Sequence, residues 1–113
     1  MKVIIAGGRD FDDYQRLCSV MNKCPYTVSE VVCGGARGAD YLGGKWGIDQ
    51  GIPVKYFPAD WGKHGKKAGH LRNTEMGDYA DALVAFWDKK SKGTKHMIDY
   101  ATKLGLKVNV FYY

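Results

Sequence analysis

Two apolar runs in this chain end in Gly-Gly and continue into an arginine and an aspartate. The first reads VIIAGGRD at residues 3–10 and the second VVCGGARGAD at residues 31–40. Glycine is costly inside helices and strands, so a pair of them after an apolar run implies a turn with close backbone approach. Where a strand enters such a turn and a helix leaves it, free N–H groups and the positive helix end face whatever lies above, which suits phosphate. In the second stretch Gly34, Gly35 and Gly38 would admit a phosphate to the main chain, and Arg37 would add a charge-assisted hydrogen bond. Asp40 would cap the helix or accept from a ribose hydroxyl. The stretch is not G-x-G-x-x-G, because Ala36 stands at the second glycine, and it lacks the Lys-Ser/Thr of a P-loop. A tight turn with no ligand would use the same glycines. The first stretch repeats the logic with Gly7, Gly8, Arg9 and Asp10. There Phe11 packs beneath the loop or stacks on a base, and Asp12 or Asp13 caps the next helix.

Two further stretches carry charge. WGKHGKKAGHLRNTEM, residues 61–76, holds Lys63, Lys66, Lys67 and Arg72, with no acidic residue before Arg72. The lysines read best as a solvated basic loop, whereas an arginine on the inner side of a helix needs an anionic partner. FWDKKSKGT, residues 86–94, offers Ser91 or Thr94 as the N-cap of a helix whose free end would face the same cleft.

The elements that must position these residues follow from periodicity. Five β-type runs stand at Val3–Ala6, Val31–Cys33, Val54–Phe57, Ala82–Phe86 and Lys107–Tyr112. Between them Tyr14, Leu17, Cys18 and Met21 share one helical face, and Met97, Ile98, Ala101 and Leu104 share another, with Gly105 as its C-terminal stop. Ala68 to Tyr79 reads as a helix with a polar outer side. Ala39–Gln50 is a glycine-weakened helix whose Gly43, Gly44 and Gly47 would permit close packing on a sheet. Alternating strands and helices imply an α/β fold: a Rossmann-like, doubly wound, parallel five-stranded sheet of order 3-2-1-4-5 with helices on both faces, in one domain spanning residues 1–113. Ligands of such sheets bind beyond the carboxyl ends of the strands, where the tails of strands one, two and four meet.

Composition agrees with an anionic ligand. Of 17 basic residues, ten fall on this expected edge: Arg9, Arg37, Lys63, Lys66, Lys67, Arg72, Lys89, Lys90, Lys92 and Lys95. The formal charge of +5 suits negative partners without identifying one. No apolar run approaches the roughly 18 residues of a membrane span, and the N-terminus carries no signal-peptide core, so a cytoplasmic protein is expected. Cys18, Cys24 and Cys33 make no CxxC pair and read as reduced thiols; His64, His70 and His96 share no metal-ligand spacing. Neither a metal nor a resident cofactor is expected. The terminal Phe111, Tyr112 and Tyr113 suit an edge strand or a subunit interface of a homo-oligomer equally well.

Taken together, VIIAGGRDF, GGARGAD, AGHLRNTEM and ALVAFWDKKSKGT resemble the SLOG superfamily. That Rossmann-like group includes LOG-type cytokinin-activating phosphoribohydrolases and the DNA-processing protein DprA. The similarity is greatest to its small YspA-related branch, often encoded by phages or bacteria, and runs from Val3 to about Leu104. The resemblance implies a nucleotide or nucleotide-derived ligand, with Gly34, Gly35 and Gly38 as the phosphate turn. Arg72 in RNTEM resembles the arginine of the LOG-type RKxxM motif, with Asn73 in place of lysine, and Gly93-Thr94 resembles the GT of PGGxGTxxE. The glutamate of that motif would fall at Met97 or His96, and its PGG is replaced by lysine-rich sequence.

The expected function is therefore binding of a phosphorylated nucleotide, as a sensor or sequestering protein, by the glycine turns, Arg37, Arg72, Asn73, Trp87, Ser91, Gly93 and Thr94, with Asp10 and Asp40 toward ribose or base. An alternative is a hydrolase of an N-glycosidic or phosphate bond, with Arg72 orienting the substrate and Asp10, Asp40 or Asp88 as acid or base. A third is DprA-like binding of single-stranded DNA, with Trp61 or Trp87 as a stacking platform; nucleic acid is the least expected partner.

Overall fold

The strand segments Val3-Ile4-Ile5-Ala6 and Ala82-Leu83-Val84-Ala85-Phe86 are apolar on every residue, which requires burial on both faces. The computed structural model, which describes residues 1–113, meets that requirement with one parallel sheet of order β3-β2-β1-β4-β5. β1 (Lys2–Gly7) lies between β2 (Glu30–Cys33) and β4 (Ala82–Trp87); β3 (Val54–Tyr56) and β5 (Lys107–Tyr112) form the edges. This is the order expected from the sequence. Chain order reverses direction between β1 and β4, which pair from Val3↔Ala82 to Gly7↔Phe86. Both strands thus end at the same level, and their tails open side by side.

Strand alternation divides the core into two layers. Val3, Ile5, Val31, Val84 and Phe86 face α1 (Tyr14–Asn22) and α2 (Ala39–Asp49), meeting Leu17, Met21 and Trp46. Ile4, Ala6, Val32, Leu83 and Ala85 face α4 (Ala68–Tyr79) and α5 (Lys92–Lys103), meeting Met76, Met97 and Ala101. Met97, one of the two positions where the LOG-pattern glutamate would fall, is 1% exposed and belongs to the core.

α2 is held by contact rather than propensity. A Cβ on Gly43 would sit 2.6 Å from the Ile5 side chain, so the glycine lets the helix axis approach β1. Before α4 the chain makes a four-residue helix, α3 (Trp61–His64), and a 3-10 turn at Gly65–Lys67, where the sequence reads only as a basic loop. Asp60 starts α3 by accepting from the Lys63 N–H at 3.0 Å, a capping signal masked by the lysines that follow. No helix is long and apolar enough to cross a membrane.

Candidate functional site

The tails of β1, β2 and β4 border a cavity of about 520 Å³, closed on one side by α4 and on another by the start of α5. A second cavity of about 590 Å³ adjoins it on the β3 side. Arg9, Ala36, Trp61 and Arg72 line both. The sequence-derived candidates Gly7, Gly8, Asp10, Asp40, Asn73, Asp88, Ser91, Gly93 and Thr94 line the first, while Gly34, Gly35 and Arg37 line the second. Gly38 and Trp87 line neither.

Gly38 shapes the turn from below. It is the N-cap of α2 with φ +79°, a left-handed conformation that favours glycine, and its Cβ would lie 2.2 Å from the Gly8 carbonyl oxygen. The Ala39 N–H donates to that same oxygen at 3.2 Å, so the two glycine turns are packed backbone to backbone.

Asp40 follows in the first turn of α2 and is 4% exposed. Burial pushes its carboxyl up to about 6, against the Arg72 guanidinium and then the backbone N–H groups of Ala36, Gly34 and Gly7, all of which favour the charge. The sequence assigned those turn amides to a ligand phosphate. In the fold an internal carboxylate already faces them and occupies the positive end of α2. The buried Asp40 carboxyl therefore lies beside the same turn amides that the sequence offers to a phosphate.

The start of α5 is different. Ser91 is the N-cap, its Oγ accepting from the Thr94 N–H at 3.4 Å and lying 3.1 Å from the Thr94 hydroxyl. Asp88 forms the turn before it: Oδ1 accepts from the N–H groups of Lys90 and Ser91, each at 2.8 Å, and these bonds hold the carboxyl below the usual carboxylate range. Trp87 donates its indole N–H to the Ser91 carbonyl at 3.0 Å and so holds this loop. Gly93 remains exposed, with open space where a Cβ would stand. The first amides of a helix have no intrahelical partner; here Ser91 takes the Thr94 and Lys95 N–H groups, Asp88 takes that of Ser91, and those of Lys92 and Gly93 have no partner.

α4 supplies the groups facing that helix end. Arg72 donates through Nη1 to the Gly34 carbonyl at 2.9 Å and through Nε to the Asn73 side-chain oxygen at 3.1 Å. The only ion pairs in the chain are Lys45–Asp49 and Lys95–Asp99, so Arg72 has no carboxylate within 4.0 Å. Asn73, 5% exposed, donates to the Gly93 carbonyl and to His96 Nδ1, both at 3.2 Å. Both of its N–H donors and its oxygen join Arg72 to the α5 start. Because Asn73 donates, His96 Nδ1 must accept, which fixes a neutral ring with its proton on Nε2. Burial, and then the neighbouring His70, hold the His96 pKa below its ordinary value. His70 lies parallel to His96 with ring centroids 3.9 Å apart and reaches the cavity wall. This stacked pair was invisible in the sequence, since the two rings sit on separate helices with no spacing rule between them.

On the opposite wall Tyr113 donates to Asp10 Oδ1 at 2.5 Å, while Phe11 is buried against Phe86. Phe11 thus takes the packing role of its two sequence-derived options. The basic edge is thinner than its lysine count suggested. Lys95 pairs with Asp99, Lys89 lies over the Tyr112 ring, and Lys63, Lys67, Lys90 and Lys92 line neither cavity, so Arg9, Lys66 and Arg72 line the first and Arg9, Arg37 and Arg72 the second. Cys33 is buried and pushed up to about 12, so it is no thiolate nucleophile, and none of the three cysteines is in a disulfide.

A family model described as the YspA, cpYpsA-related SLOG family matches residues 1–64. The chain belongs to that SLOG family. Its glycine turns and Arg37 lie within the matched residues, whereas Arg72, Asn73 and the α5 start lie beyond them. "Gene 61 protein" of Mycobacterium phage D29 is 39% identical over 117 residues, covering 95% of this chain and 93% of that protein. No solved structure matches.

Proposed function

We propose that the protein binds a phosphorylated nucleotide or nucleotide derivative in the first cavity, as a sensor or sequestering protein. One observation carries the reading: Arg72 lines this cavity, locked in place by Gly34 and Asn73, and the carboxylate beside it, Asp40, is buried and makes no direct ion pair with it. A partly buried guanidinium with no direct carboxylate contact gains from a bound anion. The open start of α5 faces the same space, so a phosphate there would meet free backbone N–H groups at the positive end of a twelve-residue helix. Asp40 already fills the corresponding end of α2, which favours α5 as the phosphate seat. Gly7 and Gly8 border the remaining wall and suit the sugar. Membership of a SLOG family supports a nucleotide-type ligand.

The test is thermal stabilisation by the nucleoside monophosphates, one at a time, for wild type and Arg72→Ala. Removing a charged hydrogen bond should weaken binding by about 1.5–3 kcal/mol. Equal stabilisation of both proteins, or of neither by any nucleotide, would overturn the reading.

A further inference from the structure

The second cavity has a composition that a mononucleotide site does not explain. Three guanidiniums, those of Arg9, Arg37 and Arg72, border it, and its lining contains no acidic residue. None of the three takes part in an ion pair. Two aromatic rings stand on the same wall: Tyr56 at the end of β3 is 49% exposed and Trp61 at the start of α3 is 52% exposed. Large rings left half in water beside unpaired guanidiniums offer stacking faces next to anion donors, the pairing by which bases and their phosphates are held. Arg72, Arg9 and Trp61 also border the first cavity, so the two spaces form one cleft with a cationic waist.

We propose that this second lobe holds the other half of a dinucleotide, two nucleosides joined through a pyrophosphate, with the bridge at Arg72 and Arg9 and the second base against Tyr56 and Trp61. The assignment rests on the nucleotide reading of the first cavity and narrows it to a ligand class. Arg37 and Tyr56 are the discriminating residues, because both border only the second lobe. Both are exposed, so replacing them leaves the core intact.

The experiment is titration calorimetry with adenosine monophosphate, adenosine diphosphate, diadenosine pyrophosphate and a six-nucleotide single strand. It uses wild type, Arg37→Ala, Tyr56→Ala and Arg72→Ala, with melting of each free protein as the folding control. The dinucleotide should bind at least about tenfold more tightly than the monophosphate, the scale of one added stacked base. Arg37→Ala and Tyr56→Ala should each abolish most of that advantage, Tyr56→Ala leaving monophosphate affinity within about twofold, and Arg72→Ala should weaken both ligands. A dinucleotide no tighter than the monophosphate or the diphosphate sinks the second lobe alone. So does a dinucleotide advantage that survives both lobe substitutions. Absence of any Arg72-dependent nucleotide binding sinks the first reading with it. Tight binding of the single strand, with a log–log salt slope near 0.7 per phosphate contacted, would reassign the cleft to nucleic acid.

Discussion

Arg72 and Gly34, 38 residues apart, meet where the Nη1 group donates to the glycine carbonyl at 2.9 Å. That bond ties α4 to the turn after β2 and explains why residue 34 is glycine. A Cβ there would stand 2.1 Å from Nη1 and 2.8 Å from an Asp40 carboxylate oxygen. The space of one methyl group is taken by the guanidinium.

Gly34→Ala should therefore act through Arg72. Forcing a side chain into that space should cost about 1–3 kcal/mol of stability, the usual range for overpacking. Adding Arg72→Ala should recover part of the loss, because it removes the atom that clashes. Denaturant unfolding of both single variants and the double variant gives the coupling. Strictly additive losses would show that the turn absorbs the methyl by another route.

Asp40 and His96 predict opposite pH dependences. The Asp40 carboxyl is near 6 in the fold and near 3.9 in an unfolded chain, so between those values the folded state holds a proton the unfolded state has lost. Its stabilising contribution is full below about pH 4, falls as pH rises to about 6, and stays lost above, a change of about 3 kcal/mol. His96 is depressed instead, so it favours folding above its unfolded value and that contribution is lost as pH falls through its folded value. Asp40→Asn removes only the first effect. Wild-type stability relative to this variant should decline from pH 4 to pH 7 in urea titrations; a flat difference would mean that Asp40 is ionised throughout.

The Asn73–His96 bond makes a spectroscopic prediction. At pH 7 the His96 ring should be neutral with its proton on Nε2, because Nδ1 accepts from Asn73 at 3.2 Å. Nitrogen-15 spectra of the imidazole report the tautomer directly. Asn73→Ala should give a tautomer mixture and free Arg72 Nε from its acceptor. An unchanged His96 spectrum in that variant would dissociate the two helices.

The fold was legible because its strands are short, apolar and regularly spaced, and because Gly105 and Asp13 end and begin helices as their chemistry requires. Asp13 does accept from the Arg16 N–H at 3.0 Å, and Gly105 takes φ +80°. The site was legible only as a set of residue types. Which helix end is open depends on where Asp40 points, and a sequence cannot say whether an aspartate one residue inside a helix turns inward. The tie between the Trp87 indole N–H and the Ser91 carbonyl could not be read, because its acceptor is a backbone atom. The contact between His70 and His96 depends on how α4 and α5 cross, which no local pattern encodes.

The last prediction concerns chemistry. Cleaving an N-glycosidic bond through a ribose cation requires a carboxylate free to face the sugar. Three carboxylates line the first cavity and each has a prior engagement. Asp10 accepts from Tyr113, Asp88 holds the turn before α5, and Asp40 is buried under the glycine turns. Of the two positions where the LOG-pattern glutamate would fall, Met97 is a buried core side chain and His96 is a neutral ring whose Nδ1 is taken. Nucleoside monophosphates incubated with a large amount of protein should thus yield no free base by chromatography. Freeing Asp10 through Tyr113→Phe should not create the activity, because one carboxylate without a positioned acid protonates no leaving group. Base release by wild type that vanishes in Arg72→Ala would overturn this and make the protein a hydrolase, with Asp10 the first carboxylate to replace.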